Sequence, residues 1–167
     1  MCNSEIVLYP DKVLRTQTQD VVDFFSEDFL SLVANLQNTM DSYEHCVGLA
    51  ANQIGSNLNV FVADASKNKK AESKYGNILV VNAKILLQEG MEVGREGCMS
   101  VPDLTGNVHR ARHIELMGQN EFGETITLKA FDFEARVFQH EIDHLNGKVF
   151  LDRVHSSRDV FSRKRYK

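Results

Sequence analysis

The sequence is poor in residues that would divide or cross-link it. It contains two prolines and no tryptophan, and it has neither an internal repeat nor a low-complexity stretch, so nothing indicates a linker between domains. Three cysteines are too few, and too odd in number, for a disulfide framework. Because 43% of the residues are apolar, as in ordinary globular proteins, we expect a single domain over residues 1–167 that ends in a basic tail at 156–167.

Long apolar runs and an excess of basic charge are also missing. No stretch of about 18 apolar residues occurs, and the first ten residues lack a basic segment followed by an apolar core. These absences predict neither membrane insertion nor export, so we expect a cytoplasmic protein. The formal net charge of −4 gives no reason to expect binding to DNA, because proteins that neutralise phosphates usually carry a basic face.

Two stretches show the three- and four-residue periodicity of amphipathic helices. The first begins after Ser26, whose side chain is a candidate N-cap, and acidic residues follow in its first turn, where they suit the helix dipole. The second is predicted from Asp132, again a candidate cap, to a stop at Asn146 and Gly147. One helix therefore falls in each half of the chain.

The remaining regular segments have the composition or the alternation of β-strands. Residues 58–65 and 77–86 are rich in aliphatic and β-branched residues at strand length, and a polar stretch separates them. Residues 113–131 alternate on both sides of a turn, as in a β-hairpin. We predict an α+β fold in which mixed or antiparallel sheets pack around the helix of the C-terminal half, with the other helix in the N-terminal half.

The second helix carries the pattern HEIDH at residues 140–144. His140 and His144 are offset by only about 40° around a helix, with Cβ atoms roughly 5 to 6 Å apart, so both imidazoles can bind one metal ion. Glu141 lies beside the first histidine, where its carboxylate can reach a metal-bound water without binding the metal. HExxH also occurs by chance, so two surface histidines are the alternative and a third ligand is needed to decide.

A catalytic zinc or iron site normally has three protein ligands. The pattern HExxHxxGxxH is broken by Phe150, and no glutamate follows the one in HEIDH; the nearest candidates downstream are Asp152 and His155. Upstream, Cys98 lies in a strand-to-turn setting among glycine, serine and proline, and one cysteine with two histidines is a competent catalytic set. We therefore prefer Cys98 as the third ligand to Cys98 as a small buried residue.

Three motifs in order make the chain similar to the peptide deformylase family: CVGLAANQ at 46–53, EGCMS at 96–100 and HEIDH at 140–144. The segment IVLYPDKVLR at 6–15 also resembles the N-terminal part of that family, so the likeness extends to about residue 154. It implies a catalytic domain that hydrolyses a linear amide. The amide would be the N-formyl group of the initiator formyl-methionine of nascent proteins, and formate would be released.

The resemblance also assigns roles to residues. Cys98 and the two histidines would bind the metal, and water activated by that metal would attack the formyl carbon. Glu141 would act as general base towards this water and then as general acid towards the departing amine. The side-chain amide of Gln53 and the backbone N–H of Met99 would stabilise the oxyanion.

The substrate is expected to lie against residues of the same motifs. Gly48 would let an extended peptide approach closely as an added strand, although a turn glycine is the alternative interpretation. Val47 and Val137 would line a methionine-sized pocket, and Gly97 would complete the substrate-binding set.

Two further expectations concern the helix that carries the two histidines and the identity of the metal. In the resemblance, Asp143 is not a ligand but pairs with Arg110 and so orients the helix. A thiolate and two imidazoles suit zinc or iron(II). The resemblance favours one Fe²⁺ ion in the cell, with Zn²⁺ or Ni²⁺ as alternatives.

Two positions depart from the family pattern. Cys46 replaces the first glycine of the first motif; we favour a side chain that points into the core over one that reshapes the groove or adds a second thiol near the metal. Thr105 replaces an arginine expected to contact the substrate backbone, which predicts weaker peptide binding. A catalytically altered deformylase-like amidase and a peptide-binding module are therefore the alternative functions.

The predicted tail contains a cluster of basic residues, namely Arg163, Lys164, Arg165 and Lys167. We favour a solvated chain end, and transient association with the ribosome near emerging nascent chains is the alternative. The expected partners are N-formyl-methionyl nascent peptides, with no DNA and no membrane.

Overall fold

The computed structural model describes residues 4–69 and 71–163, which contain two α-helices and eight β-strands. The helices are α1 (Glu27–Ser42) and α2 (Asp132–Leu145). The strands are β1 (Gly48–Ala50), β2 (Val60–Asp64), β3 (Asn77–Glu89), β4 (Glu92–Cys98), β5 (Val101–Arg110), β6 (His113–Gln119), β7 (Thr125–Phe131) and β8 (Val160–Ser162). Neither described helix is long and apolar enough to cross a bilayer.

The strands form two antiparallel sheets, which confirms the predicted α+β class. The larger sheet has the order β1-β2-β3-β6-β7, and the smaller has the order β4-β5-β8. The predicted hairpin is present as β6 and β7. Because β1 and β4 each end the order of their sheet, both present one edge without a strand partner.

The larger sheet lies between the two helices, and β2 shows why. Its residues alternate between faces, so that Phe61 and Ala63 pack in the apolar cluster of α2, while Val60 and Val62 pack in the cluster of α1. A strand buried on both faces has no polar side, which explains the continuous apolar run in this part of the sequence. The other side of α2 faces the smaller sheet, so this helix is central as predicted.

The two helices begin differently. Ser26 Oγ accepts a hydrogen bond from the N–H of Phe29 at 3.3 Å and caps α1, as its sequence predicts. Asp132, in contrast, is not a cap: it is the first residue of α2, at a φ of 47°, and Phe131 precedes it without a capping side chain. The prediction was wrong because β7 runs directly into α2 without a loop, and Asp132 pairs with Arg112 at 2.8 Å instead.

The smaller sheet is the part that sequence patterns predicted least. Only a strand-to-turn setting was expected around Cys98, whereas β4 and β5 form a long hairpin with Met99 and Ser100 between them. Part of the segment expected as a tail forms β8, which pairs with β5. Residues 164–167 of the basic cluster lie outside the described part of the chain.

Candidate metal centre

Three side chains from two elements converge beside α2. Cys98 is the last residue of β4, and His140 and His144 are one turn apart on α2. Their candidate ligand atoms all lie within 4.8 Å of one another, and Cys98 Sγ is 3.2 Å from His144 Nε2. Cys98 and His144 are 5% and 1% exposed, and the His140 side chain is 12% exposed. The structure thus brings together the three side chains that the sequence predicts as metal ligands.

The electrostatics of these groups suit a cation. Burial alone would raise the pKa of the Cys98 thiol, but the positive charge of His144 and hydrogen bonding with His140 and His144 outweigh burial and lower this pKa well below its usual value. A thiolate with two imidazoles is a donor set for zinc or iron(II). Among the described residues, these three form the one group of three or more potential metal ligands. A metal bound by three protein ligands keeps further coordination positions for water or substrate.

Glu141 lies at the same site as a buried acid. The residue is 3% exposed, and its Oε2 has no hydrogen-bond partner among the described residues. Burial raises the pKa of Glu141 to about 7, against the opposing charges of His140 and His144. A buried carboxylate oxygen without a partner is costly unless a ligand satisfies it, so this atom fits a site that binds water or substrate beside a metal.

Gly48 is needed for a reason that the sequence did not reveal. A Cβ at this position would lie 2.5 Å from Glu141 Oε1 and 2.9 Å from its carboxyl carbon. A side chain here would displace the carboxylate of Glu141, so glycine leaves space for that carboxylate in its present position.

Hydrogen bonds with neighbouring residues orient the side-chain amide of Gln53. Its Oε1 accepts a hydrogen bond from the N–H of Ala50 at 3.0 Å, which turns its Nε2 towards the metal site. From there Nε2 donates to Cys98 Sγ at 3.3 Å and to Ser100 Oγ at 3.1 Å. Met99 follows Cys98 in the turn between β4 and β5 and lines the same cavity.

The N-terminal segment ties two of the motifs together. The N–H of Val7 donates to the carbonyl of Gln53, and the N–H of Tyr9 donates to the carbonyl of Ser100, both at 2.8 Å. This pairing explains why the IVLYP stretch belongs with the site motifs although it supplies no side chain to the metal centre.

Behind the ligands, a buried ionic cluster joins α2 to the smaller sheet. Arg110 Nη1 donates to Asp143 Oδ2, the pair that the resemblance implied, and Arg110 also donates to both oxygens of Glu96 at 2.9 and 3.0 Å. Arg153 binds the same aspartate from the other side. Hydrogen bonds and positive charge from these arginines outweigh burial and hold the pKa of Asp143 below its usual value.

Glu96 is a candidate functional residue that the sequence did not predict, because it contacts one of the candidate ligands. Its Oε2 lies 2.9 Å from His140 Nδ1, which leaves Nε2 of that imidazole for a metal, and its Oε1 accepts from Arg136 at 2.9 Å. Burial would raise the pKa of Glu96, but hydrogen bonds and charge from His140 and Arg110 lower it far below the usual range. The signal was present, because residues 96 and 98 of one strand share a face.

A cavity of about 860 Å³ opens beside the ligands. Its lining includes the four residues predicted to bind substrate: Val47, Gly48, Gly97 and Val137. Thr105 is not among the lining residues. The cavity lies where the free edges of β1 and β4 come close to α2.

Cys46 both packs in the core and borders this cavity. It is 5% exposed within the apolar cluster of α1, and its Sγ donates to the carbonyl of Gly48 at 3.1 Å. Burial and the nearby charge of Glu141 raise the pKa of this thiol to about 12. A thiol that stays protonated at neutral pH is a poor ligand and a poor nucleophile, so we assign Cys46 a packing role.

An α+β fold with an HExxH helix and a cysteine at the same site defines the class: a metal-dependent hydrolase. The family model for polypeptide deformylase matches residues 3–160, and the chain belongs to that family. It is 40% identical over 144 residues to a peptide deformylase of Halothermothrix orenii, with 86% of this chain and 88% of that protein covered. A peptide deformylase of Aquifex aeolicus is 37% identical over 162 residues, with 97% and 94% covered.

Solved structures agree with this assignment. The crystal structure of peptide deformylase from Thermotoga maritima matches with a TM-score of 0.83 at 34% identity, covering 93% of this chain and 100% of that chain. The structure from Thermus thermophilus matches with a TM-score of 0.81 at 38% identity, covering 92% and 86%. The resemblance drawn from the three motifs is therefore confirmed.

Proposed function

We propose that this protein removes the N-formyl group from the initiator methionine of nascent proteins and releases formate. The observation that carries the proposal is the convergence of Cys98, His140, His144 and the buried acid Glu141 at one cavity. The chain's relatives are named for the same reaction, and the site contains the parts that amide hydrolysis requires.

The two free sheet edges suit an extended peptide as substrate. A peptide that lies in the cavity can form backbone hydrogen bonds with an edge strand, as β-strand addition does elsewhere. Gly48 of β1 and Gly97 of β4 border the cavity from the two edges, and neither carries a side chain that would block the approach. Val47 and Val137 supply apolar surface for the methionine side chain.

Cys98, His140 and His144 would hold one divalent cation, and the resemblance favours Fe²⁺ over Zn²⁺ or Ni²⁺. When bound, such an ion acts as a Lewis acid and makes water nucleophilic near neutral pH. Glu96 contributes by orienting the His140 ring through its contact with Nδ1. Arg110 and Asp143 hold α2 against the smaller sheet, so that the cysteine and the histidines keep their relative positions.

Groups of the protein can then transfer the proton and stabilise the negative charge that develops. Glu141 accepts the proton of the attacking water and delivers it to the amine nitrogen as the amide bond breaks, because an unprotonated amine is a poor leaving group. Gln53 Nε2 and the N–H of Met99 donate to the oxygen of the formyl group as it gains negative charge. Loss of one such donor typically raises the barrier by about 3 kcal/mol.

Formate release gives the decisive test. Iron-loaded protein prepared without oxygen should release formate from formyl-Met-Ala-Ser, and it should leave acetyl-Met-Ala-Ser intact. The Glu141→Gln variant with equal metal content should be about 10²- to 10⁴-fold slower, because it has lost the general base. Turnover of the acetyl peptide would favour an altered amidase, and binding without any turnover would favour a peptide-binding module.

The proposed location and partners follow from the substrate. Nascent chains are made in the cytoplasm, so we place the enzyme there and propose transient contact with the ribosome through the basic C-terminal residues. Replacing Lys164, Arg165 and Lys167 by glutamate should reduce co-sedimentation with ribosomes at low salt, because it replaces attraction to the phosphates of ribosomal RNA by repulsion. The difference should shrink as salt is added, since charges are screened over about 10 Å at 0.1 M salt. Unchanged co-sedimentation would overturn the proposal.

A further inference from the structure

The strand β8 brings a cationic side chain to the cavity from outside the three motifs. β8 pairs antiparallel with β5, so that Phe161 lies opposite Thr105. The pairing continues one residue beyond the strand, because the N–H of Arg163 donates to the carbonyl of Asp103 at 2.8 Å. This hydrogen bond fixes the backbone of Arg163 next to the hairpin of β4 and β5. The side chain of Arg163 lines the cavity.

The guanidinium of Arg163 lies beside Gly97 and Cys98 at the end of β4. Its Nη1 donates to the carbonyl of Cys98 at 3.4 Å, a long hydrogen bond. A Cβ added at Gly97 would lie 3.3 Å from Arg163 Nη2 and 3.3 Å from Thr105 Cγ2. Arg163 and Thr105 therefore occupy neighbouring space on the same side of the hairpin, next to a residue predicted to bind substrate.

Arg163 has hydrogen-bond donors to spare, and among the described residues it has fewer partners than Arg95 and Arg136, the other arginines that line the cavity. A guanidinium has five donors, and no acidic side chain among residues 4–69 and 71–163 forms an ion pair with Arg163. Arg136 is held by Glu96 at 2.9 Å. Arg95 donates to Asn107 at 3.0 Å, and its guanidinium stacks on the Phe161 ring at 3.7 Å.

We infer that Arg163 binds the backbone carbonyls of the substrate residues that follow the formyl-methionine, an inference that rests on the proposed function. Thr105 occupies the position where the family pattern has an arginine, and Thr105 does not line the cavity. Pairing of β5 with β8 delivers a guanidinium to the same place from a different strand. The loss of arginine at 105 is thus compensated within this chain.

The test compares substrates of two lengths. Metal-loaded Arg163→Ala should have about a 10-fold higher KM than the wild type for formyl-Met-Ala-Ser amide, because it has lost hydrogen bonds from a charged donor, and an unchanged kcat. For formyl-Met amide, which lacks the following residues, KM should not change. Arg158→Ala is the matched control, since Arg158 is exposed in the same segment and does not line the cavity.

Two further measurements separate contact with substrate from support of the fold. Adding Thr105→Arg to Arg163→Ala should lower the KM for the longer peptide again, which a purely structural role of Arg163 would not allow. Calorimetry with Met-Ala-Ser amide should show the same weakening of binding in Arg163→Ala and less of it in Arg163→Lys.

The outcomes distinguish this inference from the proposed function. Equal changes for both substrates, or no change in KM and in peptide affinity, would overturn the role of Arg163 while deformylation stands. If the wild type releases no formate, the proposed function fails, yet weaker calorimetric binding of the peptide by Arg163→Ala would still support the contact. A wild type that binds no peptide would overturn both.

Discussion

The buried polar groups on the two sides of α2 differ in whether they have partners within the chain. Towards the smaller sheet, buried charges are densely paired: Glu96 contacts Arg110, Arg136 and His140, each at 2.9 Å. Towards the cavity, the buried Oε2 of Glu141 has no partner among the described residues. A buried polar atom without a hydrogen bond costs about 1–3 kcal/mol.

This difference distinguishes the residues that hold α2 in place from the residue proposed to take part in the reaction. Groups that hold the helix in place have their partners within the chain, whereas the group that handles protons is left open for water and substrate. One helix can serve both purposes because successive residues point to different sides, so that Glu141 and Asp143 face different surroundings although both belong to HEIDH.

The largest expected effect comes from breaking the paired side. Replacing Arg110 by Met leaves Glu96 and Asp143 buried with fewer partners, so the free energy of unfolding should fall by about 3–5 kcal/mol. Urea denaturation of the metal-free proteins measures this change. Arg112→Met, which removes an exposed ion pair with Asp132, should change stability little; equal losses in the two variants would contradict the distinction between the sides.

On the open side, activity should suffer rather than stability. Gly48→Ala places a Cβ 2.5 Å from the present position of Glu141 Oε1, and a displaced general base should lower kcat by about 10²-fold. Metal content and melting temperature should stay near those of the wild type, which shows that the fold and the ligands are intact. Full activity in this variant would mean that the position of Glu141 is not critical.

Glu96 connects the two sides, so its removal should affect the metal. In Glu96→Gln the imidazole of His140 loses its anionic partner, and metal affinity should fall by about 10- to 100-fold. Competition with a chelator measures the affinity. Glu92 has an exposed side chain on the same strand, so Glu92→Gln is the control. Equal metal affinities in the two variants would show that Glu96 does not support metal binding.

The smallest effect is expected at Cys46. Cys46→Gly restores the glycine of the family motif and removes a small side chain from the core, which should cost about 1 kcal/mol of stability. Deformylation should change little, because the Cys46 thiol packs against the cluster of α1. A marked change in KM would instead assign Cys46 to the substrate groove.

Sequence reasoning reached the groups whose spacing is local. His140 and His144 are recognisable because one helical turn separates them, and Ser26 because a cap directly precedes its helix. The fold class followed from segments with clear periodicity. These features depend on residues close together in the chain, and a single sequence contains that information.

What remained hidden depends on tertiary pairing. Glu96 and Arg163 contact residues 44 and 65 positions away. Alternation along β4 places Glu96 on the same face as Cys98, but it does not show that His140 lies against that face. Gly48 was expected to accommodate substrate, whereas its distance to Glu141 gives it a second purpose that only coordinates reveal. Asp132 looked like a cap because sequence alone does not show that β7 enters α2 without a loop.

X-ray absorption spectroscopy of the zinc-loaded protein tests most directly whether Cys98, His140 and His144 bind one metal. The spectrum should contain one sulfur ligand at about 2.3 Å and two imidazole nitrogens at about 2.0–2.1 Å. In Cys98→Ala the sulfur contribution should disappear. A wild-type spectrum with only nitrogen and oxygen ligands, or one unchanged in Cys98→Ala, would contradict the proposed centre.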